Sequence, residues 1–312
     1  MMRRTAWGIA AAAGVLVLAT AVVLFAWPRR VPTPSGRNAG DWTHPAVIPD
    51  PYDSPQAFME GIYAAQKRPS VPSACRPFGV VVPHHLTASE TAAVGIRALA
   101  GQGIKNILLI TPDHFNRCPT AFCTADVAYD TQLGRTDASK DIVRSLLASP
   151  LVTDDSSLFR DEHGVYAVAP FVAWYLPGVT VTPLAVSMDS PWKAERQELL
   201  DIVSRVVDDK TVVVVSSDFS HYLTLKDAEV EDGRTSSTIM SGDLDSIASL
   251  KDPDQSDCPA CLWLMAALAK RRGASDPTIL MHSNSATILH DEHAPQTTSH
   301  FAIEWCDTVA NP

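Results

Sequence analysis

Outside its N-terminal segment the chain has no basic run longer than the three residues Lys270-Arg271-Arg272, and 25 basic side chains face 35 acidic ones, a formal net charge of -10. Binding a polyanion takes concentrated positive charge, so a nucleic-acid partner is set aside and small molecules or proteins fit better. The chain also lacks any internal repeat, so nothing suggests an array of small units. Only one Cys-x-x-Cys occurs, Cys258 to Cys261, and without a second one a paired zinc site is not built. Charged residues make up 19% of the chain and hydrophobic ones 46%. That composition lies well above a disordered chain and supports one substantial core.

Charge is missing altogether between Trp7 and Trp27. About 20 apolar residues at 1.5 Å each cross a ~30 Å hydrocarbon core, so residues 7–27 read as a single transmembrane anchor after a short tail, residues 1–6. Arg3 and Arg4 precede it, Arg29 and Arg30 follow, and Trp7 and Trp27 suit the two interfaces. A cleaved signal peptide is the rival, but the run exceeds an ordinary h-region and continues into Leu24, Phe25 and Trp27 instead of a small-residue cleavage site. The remainder is expected to be extracytoplasmic, where six cysteines can pair. Cys118 with Cys123, Cys258 with Cys261 and Cys75 with Cys306 is one of the combinations.

Residues 28–50 are rich in Pro, Gly, Asn and Asp and read as an extended or disordered linker. Residues 51–312 then read as one α/β domain. A first helix is expected over Ser54 to Gln66. GVVV (79–82), a helix over 89–100 and NILLIT (106–111) form a β-α-β unit with parallel strands. Further strands are expected at 179–186, 211–216, 278–281 and 301–305, with helices at 139–147, 166–174, 194–207, 235–249 and 258–270. Unbroken Val and Ile runs mark strands buried on both faces, which points to a three-layer α/β/α domain with a mostly parallel central sheet.

In such sheets ligands bind beyond the carboxyl ends of the strands. GVVV runs into Pro83-His84-His85, NILLIT into Pro112-Asp113-His114, and TVVVVS into Ser217-Asp218-Phe219-Ser220-His221. Neighbouring strands lie about 4.8 Å apart, close enough for imidazoles on separate strands to meet at one ion about 2 Å from each nitrogen. A lone His after a strand is commonly just a loop residue; three coincident placements favour a metal site. Asp113 and Asp218 are each a ligand, a partner orienting a His, a general base, or simply a turn cap. Glu162 suits a helix start without any catalytic role, and for His163 both a functional and a structural reading stay open. At the start of an apolar helix Cys258 is a metal ligand, one of a redox pair or half of a structural disulfide, whereas Cys118 and Cys123 look like a loop clip.

VVPHH (81–85), ITPDH (110–114), DEHGVYAVAPFV (161–172), SSDFSHY (216–222) and the Cys258 helix resemble, in order, the motifs of the Memo-like family, known in bacteria and archaea as AmmeMemoRadiSam system protein B. The likeness spans roughly residues 50 to 306. It implies a fold related to class III extradiol dioxygenases, with His84, His114 and Cys258 as metal ligands, Asp218 and His221 lining the same pocket, and Glu162 and His163 near it. Two departures stand out. His85 and Leu86 replace a small Ala-Gly pair, narrowing the pocket mouth, and Cys258 has Cys261 as a disulfide partner that would remove it as a thiolate ligand.

Three functions follow from this reading. The first is a non-haem redox enzyme of dioxygenase type acting on an unknown small molecule, with iron foremost and copper or zinc as alternatives, and with Asp218, His221 and His163 as catalytic groups. The second is a non-catalytic metal-binding or scaffold component with protein partners in an AmmeMemoRadiSam-type system, and the third a metal-dependent hydrolase. The expected setting is a single-pass membrane protein.

Overall fold

The computed structural model describes residues 45–69 and 76–307. The anchor expected at 7–27, the tail before it and most of the linker lie outside the described residues; among those described, no helix is long and apolar enough to cross a membrane.

Twelve strands occur in the order β1 (Ala46–Pro49), β2 (Arg76–Val82), β3 (Asn106–Pro112), β4 (Phe122–Thr124), β5 (Val127–Thr131), β6 (Gly134–Asp137), β7 (Val152–Asp154), β8 (Thr180–Val186), β9 (Thr211–Ser216), β10 (His221–Leu223), β11 (Thr278–Asn284) and β12 (Thr297–Asp307). The main sheet runs β10-β12-β2-β9-β3-β8-β4-β7, with β11 on the other edge of β12. Its centre, β2-β9-β3-β8, is parallel throughout. Its flanks are not: β12 is antiparallel to β2, β11 and β10, and β4 is antiparallel to β8. The sheet is therefore mixed, where a mostly parallel one was expected. Of the antiparallel pairs only β11 and β12 are joined by a short connection; β4 meets β8, and β12 meets β2 and β10, across long stretches of chain.

The β-branched runs explain the centre. Val80, Val82, Ile107, Leu109, Val212 and Val214 join one apolar core, while Val81, Leu108, Ile110, Val213 and Val215 join another. Successive side chains of a strand alternate between faces, so each unbroken run feeds both cores. Helices Gln56–Lys67, Ser89–Ala98 and Ala169–Tyr175 contribute to the first core; Trp192–Ser204, Leu225–Ser241 and Pro259–Arg272 contribute to the second. Each fully buried Val or Ile stabilises this sandwich by about 1.5–3 kcal/mol before entropy is counted. Helix Pro259–Arg272 starts with Pro at its first position and ends on Gly273 in the left-handed region, φ 68°, with Lys270, Arg271 and Arg272 near the negative end of its dipole.

Three readings change. The single helix expected at 235–249 is the end of Leu225–Ser241 and a separate turn, Leu244–Ile247, divided at Gly242 in the left-handed region. Residues 46–49, taken for the end of a linker, form β1, which runs parallel to β5 in a separate three-stranded sheet with β6. The final strand begins at Thr297 instead of Phe301 and so reaches well past the end of β2.

The register sets the site. Val82 of β2 stands opposite Ser216 of β9, so His84 and Asp218, each two residues further on, leave the sheet at the same height. Val215 is also opposite Ile110 of β3, which carries Asp113 and His114 to the same edge. Because β12 is antiparallel to β2 with Ile303 opposite Val81, its first half, including His300, lies along that edge too.

Gly61 lets helix Gln56–Lys67 approach helix Ser89–Ala98, since a Cβ there would stand 2.5 Å from the backbone carbon of Ser89, whereas one at Gly233 on helix Leu225–Ser241 would meet nothing. Gly61→Ala is expected to destabilise the domain by about 1–3 kcal/mol and Gly233→Ala to stabilise it by about 0.5–1 kcal/mol, measured by chemical denaturation. Equal effects would contradict the close approach.

Candidate metal centre

His84 is buried at the end of β2, with its Nδ1 3.1 Å from the Ser216 hydroxyl and its Nε2 free to face Asp218 and Asp257, each with a carboxylate oxygen 3.2 Å away. The His114 ring, after β3, meets His84 edge-on at a centroid distance of 4.8 Å. Its Nδ1 lies 2.6 Å from Glu162 Oε1, and its backbone N–H donates to the other Glu162 oxygen. A proton held on Nδ1 by that carboxylate leaves Nε2 as the donor atom for an ion. Glu162 does double duty: it also accepts the Gly164 N–H at 2.9 Å, capping the short helix His163–Tyr166. That turn places His163 against His114, with centroids 3.9 Å apart, and 4.9 Å from His84.

An aspartate stands beside both rings. Asp257 Oδ2 lies 3.2 Å from His84 Nε2 and 3.7 Å from His114 Nε2. Its carboxylate is fixed by the Ser217 hydroxyl at 2.7 Å and by the Asp218 N–H at 3.1 Å. Cys258, expected as a metal ligand, is bonded to Cys261, and its Sγ accepts the Cys261 N–H at the start of helix Pro259–Arg272. A disulfide sulfur carries no negative charge and is a poor ligand for a hard or borderline cation.

Asp218 lies at the middle of the cluster and is fully buried. Its Oδ1 accepts from His300 Nδ1 at 2.9 Å. Its Oδ2 lies 3.2 Å from both His84 Nε2 and His85 Nδ1, yet makes no hydrogen bond of proper geometry. A buried carboxylate oxygen without a hydrogen bond is costly unless a cation lies nearby. His221, at the start of β10, brings a ring nitrogen close to His85 and Asp218.

These carboxylates govern the imidazoles. Burial alone pushes His84 down, but the charges of Asp218 and Asp257 outweigh it and the net shift is upward. His114 behaves likewise: burial is overcome by hydrogen bonds to Asp257 and Glu162, raising it to about 10. Burial and the positive charge of His84, His114 and His85 hold His163 down at about 2. Although Asp218 pulls His85 up, burial and the neighbouring imidazoles leave it at about 4. Asp218 and Asp257 are both held well below the usual carboxylate range; burial opposes this, and the facing histidines prevail.

Among the described residues three groups place their donor atoms within 4.8 Å of one another: His84, His114 and His163; His84, Asp218 and Asp257; His85, Asp218 and His221. The donor types and the unsatisfied Asp218 oxygen fit a divalent cation of the Mn, Fe or Zn kind. Of the residues marked in the sequence, His84, His114, His163, Asp218 and His221 place donor atoms in these groups, and Glu162 contacts His114. Asp113 does not join them; its carboxylate accepts the backbone N–H groups of Phe115 and Cys118 and shapes the loop, which Cys118 and Cys123 clip by a disulfide. Cys306 is also disulfide-bonded, and Cys75 lies outside the described residues. Two participants were missed. Asp257 was passed over for the adjacent cysteine, and His300 stood just before the assigned last strand; its place in an antiparallel partner of β2 was the available signal.

His114, raised to about 10, is protonated at pH 7 in the metal-free chain, and His84 is shifted in the same direction by the facing carboxylates. A cation must expel the protons these rings carry, so binding should release protons and tighten as pH rises, the gain from His114 ending near pH 10 where its proton is already lost. Titration calorimetry in buffers of different ionisation heat reads the proton count; affinity that stays flat from pH 7 to 9 would contradict this electrostatic arrangement.

The Memo-like protein family profile matches residues 49–293. A MEMO1 family protein of Thermoplasma volcanium is 26% identical over 224 residues, covering 70% of this chain and 81% of the relative. One from Thermoplasma acidophilum is 28% identical over 225 residues, 68% of this chain and 80% of that one. In fold, the crystal structure of an uncharacterized Escherichia coli K12 protein superposes with a TM-score of 0.50 at 14% identity, covering 72% of this chain and 98% of that one. With its ordered strand-end motifs and a profile match across most of its length, the chain belongs to the Memo-like protein family.

Proposed function

We propose that this chain is a metal-dependent oxidoreductase of extradiol-dioxygenase type, with an iron ion held by His84, His114 and Asp257. The observation that carries the reading is the approach of Asp257 Oδ2 to both imidazoles, 3.2 and 3.7 Å, while the adjacent cysteine is tied up in a disulfide. Two imidazoles and one carboxylate would hold a ferrous ion, which would supply the redox chemistry that ring cleavage of a catechol-like substrate by O2 requires. His163, a weak base at about 2, is suited to accept a hydrogen bond or donate a lone pair, not to store a proton. Its ring and that of His114 are partly exposed, 28% and 20%, so a small molecule can reach them.

The membrane reading of residues 7–27 belongs to the same proposal. Two disulfides in the described residues, Cys118–Cys123 and Cys258–Cys261, support a domain on the oxidising side of a membrane. A protease added to intact cells should then remove the domain.

Asp257→Asn should weaken metal binding by more than the roughly 10–100-fold cost of losing a partner that merely orients a ligand, and His114→Ala should do the same. The Cys258→Ser, Cys261→Ser double variant and His290→Ala, in an exposed turn, should keep their metal. Elemental analysis of anaerobically purified protein, with circular dichroism confirming the fold, reads this out. Metal lost with the cysteines and kept by Asp257→Asn would overturn the ligand set. Iron with an absorbance change on adding catechol supports the oxidoreductase; bound metal without turnover returns the chain to a non-catalytic metal-binding role.

A further inference from the structure

We propose that the site takes a second divalent cation beside the first, ligated by His85, His221 and the Oδ2 of Asp218, with Asp218 shared between the two ions. This rests on the metal reading above and extends it from a mononuclear to a dinuclear centre.

The geometry starts from Asp218 Oδ2, which stands 3.2 Å from His84 Nε2 on one side and 3.2 Å from His85 Nδ1 on the other. Donor atoms bound to one ion at about 2.1 Å are separated by about 3.0–3.4 Å for right-angle or tetrahedral arrangements. Both contacts match that spacing, and they lead away from Asp218 toward different imidazoles. A ring nitrogen of His221 completes the second set, within 4.8 Å of the His85 and Asp218 donors. Neither the first ion nor any hydrogen bond accounts for His85: it is not needed for the His84, His114 and Asp257 set, and its only polar contact to a described side chain is this carboxylate oxygen.

Three buried polar atoms lack partners here, Asp218 Oδ2, His221 Nδ1 and His300 Nε2. Orphaned atoms of that kind mark a place where an ion or water belongs. The carboxylate is also aimed. His300 takes Oδ1 through its Nδ1 at 2.9 Å, which fixes the plane of the group and presents Oδ2 to the two other histidines. His221 is held in turn by its N–H to the Pro253 carbonyl at 3.0 Å and by pairing with Thr298 of β12.

Charge points the same way. Three carboxylates, Glu162, Asp218 and Asp257, line the combined site, nearly balancing the four positive charges of two divalent ions and leaving one for a bound anion. One ion alone would leave the site with net negative charge. Asp218 and His221, taken with His163 as catalytic groups in the dioxygenase reading, thereby become ligands.

The test uses the full chain, stripped with a chelator and loaded anaerobically with Co(II), with cobalt counted by elemental analysis and coupling followed by electron paramagnetic resonance. The wild type should hold two Co(II) per chain and show exchange coupling. His85→Ala, with a 40% exposed side chain that tolerates truncation, and His221→Ala should each hold one uncoupled ion, and His114→Ala should hold one at the remaining site. A wild type with one Co(II), unchanged by His85→Ala and lost in His114→Ala, overturns the second site and leaves the first intact. Two ions retained in His85→Ala and His221→Ala overturn the ligand assignment. Two ions retained in His114→Ala refute the first site instead.

Discussion

A buried carboxylate sets the terms for everything around it. Asp218 leaves the end of a strand buried on both faces, cannot reach water, and is compensated only by the imidazoles that neighbouring strands bring to the same height. The parallel centre of the sheet makes that possible, because parallel strands end together and every loop leaving that edge opens into the same space. The antiparallel β12 then adds His300 from the opposite chain direction. Removing the charge on Asp218 would leave several buried imidazoles without the group that favours their protonated forms. Cation binding resolves the same conflict by replacing protons with a metal.

Much of this was legible from residue order. Continuous Val and Ile runs located β2, β3, β8 and β9, and the residues just after three of them proved to be those that converge. Short strands were not legible. β4, β7 and β10 are three residues long and owe their pairing to neighbours, so neither alternation nor propensity marks them. The same holds for β1, whose Pro-rich surroundings look like a spacer and whose partner β5 is far along the chain. His300 was missed for a related reason, since a polar TTSH stretch does not read as a buried strand until β10 and β11 flank it.

Cys258 shows where a family pattern and local chemistry diverge. Its position at the start of a helix favours a thiolate, and the likeness to Memo-like proteins points to it as a ligand. In this chain a second cysteine three residues on captures the sulfur, and the preceding Asp257, held by the Ser217 hydroxyl and the Asp218 N–H, presents its carboxylate to both histidines. A ligand shell of nitrogen and oxygen suits a harder ion than one containing sulfur.

The most direct test of this account is X-ray absorption at the edge of the metal bound to the full chain. It predicts a nitrogen and oxygen shell at about 2.0–2.2 Å with no sulfur scatterer, whereas a sulfur shell at about 2.3 Å would contradict it and return Cys258 to the metal.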